Sequence, residues 1–445
     1  MALCRRCVEV GVELCNKPRQ LPGLSSFSGK LLPRTTPYLN PSGMEIRTEP
    51  TSLDDLVTSP FARLSALLDG IEPGASPIDL SLGEPRALVP PFLRLTLTRH
   101  LGEFGRYPPI RGIPALRQAI VAWLGRRYPA LAGHIDPDTQ VLPLNGSREG
   151  LFSAIFPGLA RKERGGRPVV LIPNPFYQAY VAAAAASGAE PVFLDSGSPT
   201  RFLAALDAIN AELLPRTVAL YLCSPSNPQG SVTDRGYLAR IIVLARRFDF
   251  MLFADECYSE IYGNSPPPGA LETAHAASGS LANVVTFNSL SKRSGLPGLR
   301  SGFVAGDPGF IASFAKFRNV ACPQVPLPVQ HVSVEAWSDE RHVEQGRALY
   351  RANFDVADEL LQSRYGYQRP QAGFFLWLDM GAHGGGEAAT KTLWKGCGVK
   401  LLPGKYLACE GASGDNPGTS HVRVALVHDP KKTGEALQRI VATLG

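Results

Sequence analysis

Val284-Val285-Thr286-Phe287-Asn288-Ser289-Leu290-Ser291-Lys292-Arg293-Ser294-Gly295-Leu296-Pro297-Gly298-Leu299-Arg300 holds the features on which the fold of this chain turns. The stretch opens as a short apolar run of strand type. It then breaks into small hydroxyl and glycine residues around one lysine, with Arg300 eight positions beyond it. A lysine set among Ser and Gly has little apolar cover and no acidic neighbour in sequence. That is a poor place for a core residue and a good one for an amine that must reach a ligand. Lysine forms Schiff bases with aldehydes, because its amine becomes nucleophilic once desolvated or set near other cations. The hydroxyls of Ser289 and Ser291 and the guanidinium of Arg300 suit a phosphate. An aldehyde and a phosphate on one ligand describe pyridoxal 5'-phosphate (PLP). A Ser-Lys-Arg run serves equally well as a solvated turn, and these residues alone do not separate the two.

Composition bounds the answer. The chain has 445 residues, 44% hydrophobic and 19% charged, an ordinary globular balance. That length exceeds what one small core fills, so two lobes are expected. The net charge of +6 comes without a lysine- and arginine-rich run, so no nucleic-acid partner is implied. A basic pocket for acidic small molecules accounts for part of it equally well. No apolar run approaches a membrane span, and no membrane partner is expected. The eight cysteines are scattered and read as reduced thiols of a cytoplasmic protein. Cys4 and Cys7 form a C-x-x-C with Cys15 nearby, but no second pair follows at zinc-finger spacing, so no metal site is expected. Residues 1–43 are rich in Pro, Ser, Arg and Lys and carry only Glu9 and Glu13 as acids. They read as a disordered, dispensable extension, or as sequence upstream of a start at Met44, and not as a targeting segment.

From about Leu53 the pattern becomes regular. Pro60 to Leu68 reads as a helix with one apolar face, and Pro114 to Leu124 as an amphipathic helix with proline at its start. Ile78 to Leu82 alternates like a short strand. The apolar runs Pro168–Ile172, Thr217–Leu222, Phe250–Ala254, Val284–Phe287 and Ser301–Ala305 are separated by helical patterns. Continuous apolar strands between helices mark a mainly parallel sheet covered on both faces. The last third, with a polar helix from Glu340 to Gln362 and strands near Phe374–Leu378 and His421–Leu426, reads as a smaller α+β lobe.

Ligands of open α/β sheets sit at the carboxyl ends of the strands, so the residues after each run carry the chemistry. They are Asn174-Pro-Phe-Tyr177, Cys223-Ser-Pro-Ser-Asn227-Pro228, Asp255-Glu-Cys-Tyr258 and Ser289-Leu-Ser-Lys292. Asn145-Gly146-Ser147-Arg148-Glu149 feeds a helix start, where backbone N–H groups bind phosphate. Singly, each has an ordinary alternative: Asn-Pro is a turn, Asp255 caps a helix, Gly146-Ser147 begins one, Tyr177 packs. Together they supply each need of PLP. Asp255 faces the pyridine nitrogen. Asn227 and Tyr258 donate to the ring oxygen, and Tyr177 stacks on the ring. Ser147, Ser289, Arg300 and loop amides hold the phosphate, and Lys292 binds the aldehyde and then shuttles protons.

This order of motifs, with a late arginine on a strand, resembles the aspartate-aminotransferase superfamily, the class I/II, fold-type I PLP-dependent transferases. The resemblance runs from about Leu53 to the C-terminus. It implies an α/β fold with a large PLP-binding domain at 93–334 and a small α+β domain at 335–445, which the segment 44–92 joins. It also implies roles for residues whose spacing says nothing. Arg423, in Val422-Arg-Val, would grip the substrate α-carboxylate, and the backbone of Gly83 would meet the same group. Tyr107 would reach a neighbouring copy's phosphate in a two-fold homodimer with shared active sites. Gly146, Ser291 and Arg148 would join the cofactor-binding set. Tyr177 stands where aspartate-specific members carry tryptophan.

Within the superfamily, Gly146-Ser-Arg-Glu149, Pro173-Asn-Pro-Phe-Tyr-Gln-Ala-Tyr180, Glu256-Cys-Tyr-Ser-Glu-Ile-Tyr262 and Ser289-Leu-Ser-Lys-Arg-Ser294 resemble bacterial succinyldiaminopimelate aminotransferases. The resemblance implies amino transfer between N-succinyl-LL-2,6-diaminopimelate and 2-oxoglutarate in lysine biosynthesis. Arg148, Arg111, Arg293 and Lys405 are the candidate cations for the distal carboxylates. A transaminase for acetylornithine, aspartate or an aromatic amino acid is the alternative, and a PLP lyase on the same fold is a further one. A transcriptional regulator built on this fold needs a helix-turn-helix module ahead of it, for which residues 1–43 are too short and too proline-rich.

Overall fold

The structure, a computed structural model, describes residues 58–86, 89–159, 165–411 and 414–445. The N-terminal extension with Cys4, Cys7 and Cys15 lies outside the described residues. The apolar runs become strands of one seven-stranded sheet. In chain order these are β2 (Val141–Leu144), β3 (Val169–Asn174), β4 (Glu190–Asp195), β5 (Thr217–Cys223), β6 (Met251–Asp255), β7 (Val284–Ser289) and β8 (Gly302–Gly306). Their spatial order is β2-β8-β7-β6-β5-β3-β4. The five strands from β7 to β4 run parallel, and β8 runs antiparallel to both its neighbours.

Side chains alternate across the sheet into two apolar clusters. On one face Leu171, Leu220, Leu252 and Val284 pack with the helices Pro114–Arg127, Arg235–Phe248, Ala270–Ser278 and Leu327–Ser338. On the other, Ile172, Tyr221, Phe253 and Val285 pack with the helices Gln178–Ala186 and Pro308–Ala321. Each fully buried Val, Leu or Phe contributes about 1.5–3 kcal/mol. A strand apolar on both faces is therefore stable only between two helical layers, which is why the runs show no polar alternation.

Helix starts follow the local signals. Asp234 accepts from the Tyr237 amide at 2.8 Å, and Asp307 accepts from that of Phe310 at 2.9 Å. Proline opens the helices at Pro60, Pro114, Pro308 and Pro430.

A second sheet forms from β9 (Phe375–Asp379), β11 (Leu402–Pro403) and β12 (His421–Ala425), antiparallel in the order β11-β12-β9. The short strand β1 (Ile78–Asp79) pairs in parallel with β10 (Val399–Lys400). Beyond β1, the Leu80 carbonyl accepts from the Ala425 amide at 2.8 Å. This pairing carries the chain at Ser81–Gly83 alongside β12, toward the carboxyl ends of the large sheet.

Candidate active site

Parallel register sets the strand ends level. Cys223 pairs with Asp255, and Asp255 pairs with Phe287. The loops beyond them border a cavity of about 410 Å³. Gly83, Ser147, Arg148, Tyr177, Asn227, Asp255, Tyr258, Ser289, Ser291, Lys292, Arg300 and Arg423 all line it. Of the residues singled out in the sequence, Gly146 is not part of this lining, although it precedes Ser147 and approaches Arg300. Tyr107 lies outside it, 99% exposed.

Lys292 sits in the short helix Leu290–Arg293 that follows β7. Its amine donates to the Gly83 carbonyl and lies 5.5 Å from the Phe374 ring centroid. Burial pushes the amine down to about 8, and the Arg423 and Arg148 charges add to the effect. The apolar cover that the local sequence lacks comes from Phe374, just ahead of β9.

Asp255 is buried at the end of β6. Burial raises its carboxyl above the usual range, while hydrogen bonds from Cys257 and Tyr180 oppose the rise. The Tyr180 hydroxyl donates to Oδ2 at 2.6 Å, and the Cys257 amide donates to Oδ1 at 3.2 Å. A buried carboxylate held by two donors, with no arginine or lysine paired to it among the described residues, is poised to receive a proton-bearing nitrogen.

One end of the cavity collects hydroxyls and cations. Gly146 has φ +80° and caps the helix Ser147–Ser153. That φ favours glycine, and a Cβ at Gly146 would push the Arg300 guanidinium from its place. Arg300 donates to the Pro297 carbonyl at 3.0 Å and to that of Asn145 at 3.3 Å, both neutral acceptors. Ser289 Oγ accepts from the Ser291 amide at 3.1 Å and stands 3.0 Å from its hydroxyl. The Cys257 thiol donates to Ser147 Oγ at 3.0 Å. Such a set of hydroxyls and a guanidinium can take a dianion.

The other end belongs to Arg423, buried on β12. It donates to Asn227 Oδ1 at 3.0 Å and to the Ser81 carbonyl at 2.7 Å, over the Phe375 ring at 4.4 Å. Its Nε is buried without a partner, and burial lowers its guanidinium to about 10. A cation desolvated this far, with no carboxylate beside it among the described residues, is set to take one. Because Asn227 accepts through its oxygen, its amide N–H groups are left to donate into the cavity. A Cβ at Gly83 would come 2.6 Å from the Phe375 ring, so the glycine lets the backbone run close over this wall.

Of the four candidate distal cations, Arg148 alone lines the cavity, and its guanidinium meets the Tyr177 hydroxyl at 2.5 Å. Arg111 donates to the Asp138 carbonyl, Arg293 is buried against Glu340, and Lys405 lies 3.7 Å from Glu387. Sequence reasoning assigned no role to Tyr180, Cys257 or Phe375. Tyr180 had a signal, standing one helical turn after Tyr177. Phe375 had none, because its partner Gly83 is far away in the chain.

The profile of the family described as aminotransferase class I and II matches residues 75–440. An LL-diaminopimelate aminotransferase of Desulforudis audaxviator (strain MP104C) is 28% identical over 397 residues, covering 86% of this chain and 95% of its own. The 4-dedimethylamino-4-oxo-anhydrotetracycline transaminase OxyQ of Streptomyces rimosus is 32% identical over 365 residues, covering 82% and 92%. A solved aminotransferase from Neisseria meningitidis superposes with a TM-score of 0.81 at 38% identity, covering 86% and 96%. A probable N-succinyldiaminopimelate aminotransferase from Thermus thermophilus gives 0.76 at 26%, covering 87% and 100%. The chain belongs to the class I and II aminotransferases and is a PLP-dependent transaminase.

Proposed function

We propose that this transaminase moves the amino group of N-succinyl-LL-2,6-diaminopimelate to 2-oxoglutarate. The residues fit the cofactor on the chemistry of their donor set, which offers a buried carboxylate, a stacking phenol, a hydroxyl-and-arginine cradle and a desolvated amine. When bound, PLP supplies the electron sink that stabilises negative charge at the substrate α-carbon. Lys292, its amine lowered by burial, takes and returns the proton at that carbon. Asp255 would hold a proton on the cofactor's ring nitrogen, and Tyr180 holds the carboxylate in place. Tyr258 and Asn227 donate to the ring oxygen, and Tyr177 covers the ring face. Ser147, Ser289, Ser291, Arg300 and the amides at Gly146 and Arg148 bind the phosphate. Arg423 and the Gly83 amide orient the α-carboxylate. Tyr107, wholly exposed, fits a role toward a neighbouring copy in a homodimer. In this reading 93–334 is the cofactor-binding domain and 335–445 the small domain, which the described part of the segment 44–92 joins.

The observation that carries the substrate assignment is Arg148, a cavity arginine with no carboxylate partner among the described residues. A succinylated diamino diacid presents carboxylates beyond the one Arg423 can serve. The relatives named LL-diaminopimelate aminotransferases favour a second reading, the unsuccinylated diamino acid. That donor also has a distal carboxylate within the reach of such an arginine, but it carries an ammonium beside it where the succinylated donor has a neutral amide and a further carboxylate. Comparing kcat/KM for the succinylated diamino acid, LL-diaminopimelate, acetylornithine, aspartate and an aromatic amino acid decides between them. The succinylated donor is expected to lead. Preference for LL-diaminopimelate selects the second reading, and preference for aspartate or the aromatic donor removes both.

A further inference from the structure

Away from the cavity, three side chains from separate elements meet at the surface. His100 ends the helix Phe92–His100, Glu103 lies in the 3-10 turn Leu101–Gly105, and His331 lies in the helix Leu327–Ser338. His100 Nδ1 stands 2.9 Å from Oε1 of Glu103, and His331 Nε2 stands 3.2 Å from Oε2. One carboxylate thus faces one nitrogen of each ring, and the three donor atoms lie within 4.8 Å of one another. The rings stack face to face, with centroids 3.7 Å apart and planes at 8°.

We propose that this triad binds a divalent late first-row transition ion such as Zn²⁺. Imidazole with carboxylate selects that class, whereas magnesium and calcium take all-oxygen shells. Donors about 2.0–2.1 Å from a shared ion lie roughly 2.9–3.4 Å from each other in octahedral or tetrahedral geometry. Both nitrogen–oxygen separations, one to each oxygen of the carboxylate, fall in that range. The ion takes the place of the hydrogen bonds between the rings and the carboxylate, with each neutral ring carrying its proton on its other nitrogen, and one negative charge with two neutral rings suits a dication. Stacked rings keep their lone pairs in two separate, parallel planes, so one imidazole must tilt out of the stack for both to coordinate one ion in plane. The partial exposure of both rings leaves room for that tilt. Three protein ligands leave a fourth position for water. The bound ion ties the segment that leads to the exposed Leu101, Phe104 and Tyr107 onto the helix Leu327–Ser338. Glu103 and His331 stand 228 positions apart, so no short ligand spacing announced the site.

The test titrates chelator-treated, full-length holoenzyme with Co²⁺ and Zn²⁺, reading cobalt d–d absorption and calorimetric stoichiometry. Wild type should bind one more ion per chain than His331→Ala and Glu103→Gln, or bind it at least about tenfold more tightly. Loss of outer partners alone costs that much, and these are direct ligands. Ions on the N-terminal cysteines or on the cofactor contribute equally to all three proteins and cancel. Equal stoichiometry and affinity in wild type and variants would overturn the proposal. Should a variant fold poorly, X-ray absorption of wild-type protein loaded with one cobalt decides: imidazole scattering is expected, and its absence rejects the site.

Discussion

The wall of the cavity proposed to face the cofactor and the wall proposed to face the substrate are assembled in opposite ways. Asp255 and Ser289 are the last residues of β6 and β7, and Lys292 follows within one helical turn. Their positions are set by the register of adjacent parallel strands and by local hydrogen bonds. The substrate wall is gathered from afar. Gly83 arrives through the β1–β10 pairing, Arg423 from the second sheet, and Arg148 from the start of a helix beyond β2. The first wall is rigid because the sheet is rigid. The second can change its specificity through single side chains without disturbing the sheet.

That contrast can be broken by mutation, and the largest effects belong on the sheet side. Lys292→Ala should lower turnover by about 10⁴-fold, the upper end for loss of a general acid–base group, while the protein still binds PLP. Near-normal turnover would place the chemistry elsewhere. Asp255→Asn should cost about 10²–10³-fold in kcat, on the scale of losing one preorganised electrostatic partner. Tyr180→Phe, which removes only a donor to that carboxylate, should cost about tenfold. An equal loss from both would mean that Tyr180 itself meets the ligand.

On the substrate side, Arg148→Gln should reduce kcat/KM for the succinylated donor about ten- to a hundredfold, equivalent to about 1.5–3 kcal/mol for a charged hydrogen bond. Aspartate should suffer less. A uniform loss across donors would reassign Arg148 to the phosphate. The mildest test is pH. The Lys292 amine is nucleophilic only when neutral, and its value is lowered to about 8. The rate at which cofactor-free protein takes up PLP should therefore rise with pH and level off above about 8. A rise continuing toward the ordinary lysine range near 10.4 would show that the amine is not desolvated.

The same contrast explains what could be read in advance. The apolar runs identified the parallel sheet because strands buried on both faces cannot hide polar residues. The strand-end motifs named Asp255, Asn227, Tyr258 and Lys292, because chemistry at a strand end must lie just past the last apolar residue. Arg423 and Gly83 were accessible only through resemblance, since nothing local marks an arginine on β12 as facing a glycine some 340 positions earlier. Phe374 and Phe375, which cover the lysine and the arginine, were hidden for the same reason. So was the partnership of His100, Glu103 and His331, which exists only once two distant helices pack. Arg111, Arg293 and Lys405 illustrate the converse error. Each sits beside a loop that sequence places near the pocket, but each is already engaged by a carbonyl or a carboxylate.

The placement of Lys292 as the residue that carries the cofactor is tested most directly by borohydride reduction of the holoenzyme followed by peptide mapping. The reduction fixes the cofactor on the lysine that holds it. The expected result is one phosphopyridoxyl group per chain, on the peptide containing Lys292, with the label lost when glutamate is added before reduction. A label on any other lysine would contradict the assignment.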